Sequence, residues 1–214
     1  MTTLHETAYP SLKLDPTPRE LAELYTPTED EQRLAAGIGK RALPRIAALI
    51  HLKVFQRLGY FISLAEVPPV IREHIAQQVG VVRPPSTADL KRFEASGSRT
   101  ALFAALRQHL NVKPLNPAGH AWLEVVADTA AETKHAVADI INVMLEELVH
   151  HRYELPAFST LDRMAFRARE KSNSRYFSEI TNQLTAHTRA LIDSLLKTAT
   201  GESVSAWRCF PGSA

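Results

Sequence analysis

The stretch of residues 138–180 constrains the fold most, because two helical patterns meet there across one sharp break. Before the break, apolar residues recur at steps of three and four, which is the spacing of one buried helix face. These residues are Ile140, Ile141, Met144, Leu145, Leu148 and Val149. Pro156 disfavours a helical conformation at Leu155, and Ser159 followed three residues later by Asp162 is typical of a capping box. The stretch therefore predicts a helix, a short turn and a second helix.

Four basic residues follow one another at steps of four along the second predicted helix. They are Arg163, Arg167, Lys171 and Arg175. At about 100° per residue they form one slowly drifting stripe, about 18 Å long, on the helix surface. The opposite side carries apolar residues that are predicted to be buried, namely Phe166, Tyr176, Phe177 and Ile180. The stripe suits a phosphate backbone, although the pattern alone is more typical of a solvated basic face.

Length and composition predict an ordinary soluble globular protein of one or two domains. The chain has 214 residues, of which 45% are hydrophobic and 22% charged, so it can bury a substantial core. No apolar run reaches the length of a membrane span, and the N-terminus lacks the pattern of a signal peptide. A cytoplasmic location is therefore expected. Cys209 is the only cysteine, which excludes an internal disulfide and a cysteine-rich zinc site.

Charge is distributed unevenly along the chain, although the formal net charge is only +2. Up to and including Arg33 there are seven acids and three bases, so that segment carries about −4 and the remainder about +6. An acidic N-terminal segment followed by a basic remainder fits a DNA-binding chain, but many proteins that do not bind DNA show the same asymmetry.

Helical segments separated by proline and glycine are predicted for most of the chain, and no segment has a convincing strand pattern. The predicted helices cover residues 17–25, a segment that starts near 29, and residues 43–58, 70–79, 98–110, 118–153 in two pieces, and 184–197. Residues 1–15 are expected to be a loose arm and residues 81–97 a connector. The prediction is an all-α fold of two packed helical subdomains with helix-turn-helix-like units.

Pro114 and Pro117 mark the predicted boundary between the two subdomains. This boundary divides the chain into an N-terminal arm (1–23), a first helical subdomain (24–113), a second subdomain with the basic stripe (114–197) and an irregular tail (198–214).

Two further pairs of basic residues are candidates for a second binding surface. Lys53 and Arg57 lie one turn apart near the end of the helix predicted at 43–58, and Arg99 and Arg107 lie on the helix predicted at 98–110. As with the stripe, a solvated face is the alternative interpretation of each pair.

Motifs for independent chemistry are absent from the sequence. It contains no glycine-rich phosphate loop, nucleophile elbow or His-Glu-x-x-His motif, so we predict no catalytic residue and no cofactor. Glu146 with His150 and Glu147 with His151 have the spacing of a metal-binding pair, but a surface ion pair is far more common, and no metal is predicted. Trp122 is interpreted as a core anchor rather than a base-stacking platform.

Six short segments, in order, resemble the N-terminal region of the large transposases of the Tn-three family. The segments are Leu24-Tyr25-Thr26-Pro27-Thr28, Lys53-x-Phe55-Gln56-x-Leu58-Gly59-Tyr60-Phe61, Val67-Pro68 with His74-Ile75-Ala76, Asp139-Ile140-Ile141-Asn142, Glu146-Glu147-Leu148, and Glu154-Leu155-Pro156-Ala157-Phe158-Ser159-Thr160-Leu161-Asp162-Arg163. The resemblance covers roughly residues 24–196.

This resemblance implies a helical module that recognises the terminal inverted repeats of a replicative transposon. Its partner would be double-stranded DNA at the transposon ends, together with a second copy or an intact transposase. In that family, strand transfer belongs to a ribonuclease-H-like domain further along the chain. We therefore expect this chain not to be an enzyme by itself. The eight cations of the stripe and of the two further pairs would contact DNA.

The last residues depart from the family pattern, because Ser205-Ala206-Trp207-Arg208-Cys209-Phe210-Pro211-Gly212 does not continue into the expected Leu-Lys stretch. A truncated or frameshifted transposase is expected from this departure. Two alternatives to a DNA-binding module stay open. One is a helical protein-interaction module whose basic stripe meets an acidic partner. The other is a non-functional remnant that acts at most as a competitor of intact transposase.

Overall fold

Helices form the regular structure of the chain in a computed structural model that describes residues 3–81 and 84–196. This part holds a 3₁₀ turn at Leu4–Glu6 and ten α-helices, but no strand. The helices are α1 (Pro18–Tyr25), α2 (Glu29–Ile38), α3 (Ala42–Leu58), α4 (Pro69–Gln78), α5 (Thr87–Glu94), α6 (Ser98–Leu110), α7 (Pro117–Ala131), α8 (Val137–His150), α9 (Phe158–Gln183) and α10 (Ala186–Leu196). The all-α prediction is confirmed. The tail predicted at 198–214 lies outside the described residues.

Side-chain capping explains where several of the helices begin. At the start of α2, the hydroxyl of Thr28 accepts a hydrogen bond from the backbone N–H of Glu31 at 3.3 Å. The Glu31 carboxylate accepts one in return from the backbone N–H of Thr28 at 2.7 Å. The same reciprocal arrangement begins α1 at Thr17 and α5 at Ser86. Each box satisfies two backbone N–H groups that have no partner within the helix.

The first core surrounds α3, whose faces are almost all apolar. Eleven of the seventeen residues of α3 are buried, and a helix that is apolar on all sides must be covered on all sides. Helices α1, α2, α4, α5 and α6 provide that cover. Their buried side chains include Leu21, Tyr25, Ala35, Ile71, Ile75, Leu90, Leu102 and Leu106. The helix ends at Gly59, whose φ of +74° is the left-handed conformation that glycine adopts readily.

The second core lies between α7, α8 and α9. Helix α8 contributes five of its large buried side chains, and the facing surfaces of α7 and α9 are rich in alanine, which allows close approach of the helix backbones. The buried residues are Leu123, Ala127, Ala130, Ala131, Ile140, Ile141, Met144, Leu145, Leu148, Leu161, Met164, Ala165 and Ala168. The two helices predicted on either side of Pro156 are therefore α8 and α9.

The N-terminal segment packs against the second core, in contrast to the loose arm that the sequence predicted. The ring of Tyr9 is buried, and its hydroxyl donates a hydrogen bond to the carbonyl of Pro156 at 2.9 Å. Its ring centroid lies 5.3 Å from that of Tyr60 and 5.5 Å from that of Phe158. The backbone N–H of Ala8 donates to the Asn142 side chain at 2.8 Å. One aromatic residue therefore fixes a segment that has no periodic pattern of its own.

Several predicted details of the helices were wrong. Helix α9 begins at Phe158 after Ala157, which has no capping side chain, so Ser159 lies within the helix and does not cap it. The connector predicted at 81–97 contains α5, which Ser86 caps. Val149 is 63% exposed, because it lies one position beyond the buried Leu148, where the packed face of α8 has turned towards solvent.

Helix α9 extends beyond the second core and leads to α10. No residue of α9 after Ser172 is buried, and several large apolar side chains there are exposed. On α9 these are Tyr176, Phe177 and Ile180, and on α10 Leu191 and Ile192 are exposed as well. None of the helices in residues 3–81 and 84–196 is long and apolar enough to cross a membrane.

Candidate nucleic-acid interface

The basic stripe of α9 borders the buried face of that helix and does not lie opposite to it. The buried residues include Met164, Ala168 and Ser172, and Lys171 lies next to this row. The apolar residues that were predicted to be buried are instead on the solvent side. Phe166 is 56% exposed and Phe177 69% exposed, and Tyr176 and Ile180 are also exposed. The prediction was wrong because alanine and methionine, rather than the aromatic residues, form the contact with α7.

Acids of the neighbouring helix α7 face the stripe. Lys171 forms an ion pair with Asp128, and Arg175 Nη1 lies 3.0 Å from Glu132 Oε1. Arg167 lines a small groove together with Asp128 and Glu124. Because both partners advance by four residues from one pair to the next, α7 and α9 run in the same direction. The stripe is therefore continuous on α9 but is opposed by carboxylates from another helix.

The contact with Glu132 changes the pKa of Arg175. Its hydrogen bond to Glu132, with a smaller contribution from Tyr176, raises the pKa of the guanidinium above its ordinary value. The hydroxyl of Tyr176 donates to the backbone carbonyl of Glu132 at 3.2 Å. Arg163, at the start of the stripe, lies apart from α7 and lines a broad groove with Phe166 and Asp162. It forms no ion pair with any described residue.

Lys53 is buried, so its assignment to a DNA-binding surface was wrong. Its ammonium lies 3.3 Å from the carboxylate of Glu31, whose other oxygen accepts a hydrogen bond from Gln56 at 2.7 Å. Burial pushes the pKa of Glu31 upwards. The hydrogen bonds from Thr28 and Gln56 and the charge of Lys53 outweigh that effect, so the pKa lies below its ordinary value. Lys53 therefore holds α3 to α2, because it lies among the buried residues of α3 and faces Glu31.

The remaining predicted cations divide into a paired and an unpaired group. Arg107 is half-buried, and its Nε lies 2.7 Å from Glu154 Oε2, so its charge joins α6 to the loop before α9. Arg99 is exposed, and its guanidinium lies 5.0 Å from the ring centroid of Phe103. Arg57 is exposed at the end of α3. Neither Arg57 nor Arg99 forms an ion pair within the described part of the chain.

Arg57 lines a groove between the two cores, with a volume of about 380 Å³. A second arginine, Arg152, comes from the connection between α8 and α9. The other lining residues contribute no acid, and they are Ala8, Pro10, Phe55, Gln56, Leu58, Gly59, Leu110, Val112, Leu145, Val149, Tyr153 and Leu155. The groove therefore combines an apolar floor with two guanidinium groups. Among the described residues, neither arginine forms an ion pair.

Backbone hydrogen bonds hold Arg152 in place at this groove. The carbonyl of Arg152 accepts from the N–H of Lys113 at 2.8 Å, and the carbonyl of Lys113 accepts from the N–H of Glu154 at 2.8 Å. The N–H of Leu155 donates to the carbonyl of Gly59 at 2.9 Å, which joins the loop to the end of α3. Arg152 has a φ of +59°, a conformation that only glycine and asparagine adopt readily.

No pattern in the sequence singles out Arg152. A basic residue in the connection after His151 has no periodic partner, and its backbone conformation depends on contacts with Lys113, which is far away in the sequence. The one available signal was Pro156, which predicts a short connection between two helices. Such a connection often contains a residue with positive φ.

The histidine and glutamate pairs of α8 lie at the surface. His151 Nε2 is 3.4 Å from Glu147 Oε2, and the ring of His151 packs against Trp122 at 4.9 Å. Trp122 also stacks on Tyr153 at 5.4 Å and is half-buried. Within residues 3–81 and 84–196, no group of three or more His, Cys, Asp or Glu side chains is placed to hold a metal ion. Cys209 lies outside those residues.

The fold and the groove define an all-α protein with an arginine-bearing cleft between two helical cores. The model of a family described as a domain of unknown function, DUF4158, matches residues 1–168. The chain therefore belongs to this family. The matched part includes Arg57 and Arg152, whereas Lys171 and Arg175 lie beyond it. No curated protein matches the chain significantly.

Proposed function

We propose that the chain is the DNA-binding module of a transposase and that it recognises the terminal inverted repeats of a transposon. The observation that supports this proposal is the groove between the two cores, which carries Arg57 and Arg152 and is lined by no acid. The sequence resemblance to the Tn-three family supports the finer assignment to a replicative, cointegrate-forming element.

The groove suits a phosphate backbone for two physical reasons. A guanidinium donates parallel hydrogen bonds to the oxygens of one phosphate, which is the geometry that arginine provides and lysine does not. Both arginines are also available to do so, because neither forms an ion pair with any residue that the structure describes. Strained backbone conformations such as that of Arg152 are concentrated at functional sites, where the position of the side chain compensates for the strain.

In this proposal the chain binds DNA and does not cut it. Strand transfer would belong to a ribonuclease-H-like domain, as the Tn-three resemblance implies, so no residue here has a catalytic role and no cofactor is required. The module would act in the bacterial cytoplasm, bound to the nucleoid, as a homo-oligomer or together with intact transposase. Arg99, Arg163 and Arg167 remain candidates for additional phosphate contacts, because all three are exposed.

The test is a salt titration of binding to two duplexes. One duplex carries the inverted repeat next to the gene, and the other is a scrambled duplex of equal length and composition. We expect tighter binding to the true end, with log affinity falling linearly as log salt rises. The variant Arg57→Gln/Arg152→Gln should flatten that slope by about two, since each lost phosphate contact removes about 0.9.

The matched control removes the same charge elsewhere. Arg19→Gln/Arg33→Gln alters two exposed arginines of α1 and α2 that form ion pairs within their own helices. We expect this control to keep the slope of the unaltered protein. Absence of binding to either duplex at low salt would contradict the proposal, and so would equal slopes for the groove variant and the control.

A second candidate function, a helical interaction module, is favoured by the exposed apolar residues of α9 and α10. Phe177, Ile180 and Leu191 lie on the part of the chain that extends beyond the second core. The partner in this alternative is a second copy of the chain. Sedimentation of the purified protein without DNA, combined with the salt titration, distinguishes the two functions, because an interaction module associates alone and shows no preference for the true end. Phe177→Ser/Ile180→Ser should then return it to a monomer.

A further inference from the structure

Three acids of α7 and three bases of α9 face one another with matching spacing, and we call this set the α7–α9 ladder. Each series advances by four residues, which is about 6 Å along a helix. The ladder consists of Glu124, Asp128 and Glu132 opposite Arg167, Lys171 and Arg175. Two of the three rungs are ion pairs, and the residues of the third line one groove together.

The ladder is not needed to hold the two helices together. Leu123 and Ala127 of α7 and Met164 and Ala168 of α9 are buried in the second core, so apolar packing already holds the interface. The hydroxyl of Ser172 adds a buried hydrogen bond to the carbonyl of Ala131 at 3.0 Å. The paired side chains themselves remain 39–72% exposed in both ion pairs. Ion pairs at this exposure contribute little to the stability of a fold.

We propose that the basic stripe of α9 is a second, latent phosphate-binding surface, and that the acids of α7 occupy it as an internal competitor for DNA. This inference rests on the proposed DNA-binding function. It assigns a role to a set of charges that stability does not require. The acids would lower the affinity for any duplex and leave sequence preference to other contacts.

The competition follows from the positions of the charges. A carboxylate at Asp128 or Glu132 occupies the side of Lys171 or Arg175 that a phosphate would approach. The acid therefore neutralises the cation before the DNA arrives, and fewer counterions are released on binding. The carboxylates follow one helix edge about 6 Å apart, so they neutralise successive cations of the stripe together.

The test neutralises the two paired acids in the full chain. Asp128→Asn/Glu132→Gln should bind both the true-end and the scrambled duplex about five-fold more tightly at low salt, because two exposed cations become available. The salt dependence should steepen by about one to two for the same reason. The ratio of the two affinities should stay as it is in the unaltered protein, since phosphate contacts carry no sequence information.

A charge-matched control separates this effect from the change in net charge. Asp15→Asn/Glu146→Gln removes the same two charges at exposed acids that form no ion pair in the part of the chain that the structure describes. It should change the affinity less than two-fold, because neither acid is paired with a cation of the stripe. Adding Lys171→Gln/Arg175→Gln to the ladder variant should remove the gain. Circular dichroism and thermal melting confirm that every variant is folded.

Two outcomes distinguish failure of this inference from failure of the proposed function. If the unaltered chain binds DNA and the ladder variant binds no more tightly than the control variant, the inference is wrong and the proposed function stands. If neither the unaltered chain nor the ladder variant binds either duplex at low salt, the proposed function is wrong. A ladder variant that gains affinity only for the true end would also overturn the inference, because the stripe would then read bases.

Discussion

The ammonium of Lys53 lies 3.3 Å from the carboxylate of Glu31, and both side chains are more than nine-tenths buried. This ion pair connects α3 to the capping box that begins α2, because the same carboxylate accepts from the N–H of Thr28. A cation that the sequence assigned to DNA therefore stabilises the first core.

Replacement of Lys53 by methionine should lower the free energy of unfolding by about 3 kcal/mol, because it leaves a buried carboxylate without its cation. Adding Glu31→Gln should restore part of that loss, since no buried charge then remains. Urea denaturation of the two variants measures both effects. An unchanged unfolding midpoint with weaker DNA binding would instead return Lys53 to the DNA-binding surface.

His51 should make the stability of the protein depend on pH. Burial among Phe61 and Phe103, with a smaller contribution from the charge of Arg99, lowers its pKa from 6.5 to about 4. The carboxylate of Glu94, 3.9 Å from Nε2, does not outweigh burial. The unfolded chain therefore binds the proton more tightly than the folded one, so stability is complete above pH 6.5 and is lost as the pH falls towards 4.

The loss between neutral pH and pH 5 should be roughly 2 kcal/mol, as follows from proton linkage for a shift of this size. Urea denaturation across that range measures it, and His51→Leu should flatten the dependence. His74, whose pKa burial also lowers, contributes in the same direction and remains in the variant as an internal reference. An unchanged slope in His51→Leu would assign the pH dependence to another group.

Arg152 should be replaceable by glycine without loss of stability. A non-glycine residue at positive φ is strained by about 1–2 kcal/mol, and glycine relieves that strain while it increases the entropy of the unfolded chain. Stability should therefore be unchanged or raised by up to about 1 kcal/mol. DNA affinity should fall, with the salt slope flattened by about one, because one phosphate contact is lost. A large loss of stability would show that the side chain supports the fold rather than a ligand.

Tyr9 should contribute more to the free energy of unfolding than its position near the terminus suggests. Tyr9→Phe removes only the hydrogen bond to the Pro156 carbonyl and should cost about 1 kcal/mol. Tyr9→Ala also empties the space between the rings of Tyr60 and Phe158 and should cost about 3 kcal/mol. Thermal melting of both variants shows which of them loses more stability. Equal melting temperatures for Tyr9→Ala and the unaltered protein would contradict the packed N-terminal segment.

Much of the fold follows from local signals in the sequence. The all-α class and the starts of α1 and α2 follow from threonine caps and apolar spacing, and α3 ends at Leu58, in agreement with the helix predicted at 43–58. Local spacing could not assign Tyr9 or α5, because Tyr9 depends on partners from distant segments and the short α5 follows a proline pair. The domain boundaries drawn from Pro114 and Pro117 remain a prediction.

The candidate site was less predictable than the fold. A helical stripe shows which cations share one side of α9, but only the packing of α7 shows that Asp128 and Glu132 face them. The same limitation applies to Lys53. The sequence places it one turn from Arg57 but does not show that its side chain points towards Glu31. Arg57 is the one member of the predicted set that the groove between the cores includes.

The hydrogen bond from Tyr9 to Pro156 has a consequence for the order of events during synthesis. Its two partners are 147 positions apart, whereas the helices of the first core are complete once Leu110 has been made. Domains generally fold from the N-terminus as the chain emerges from the ribosome. The opening segment therefore meets Tyr60 of the first core before its other partners, Pro156 and Phe158, have been made. A chain released before Pro156 would expose an aromatic residue that the finished protein buries.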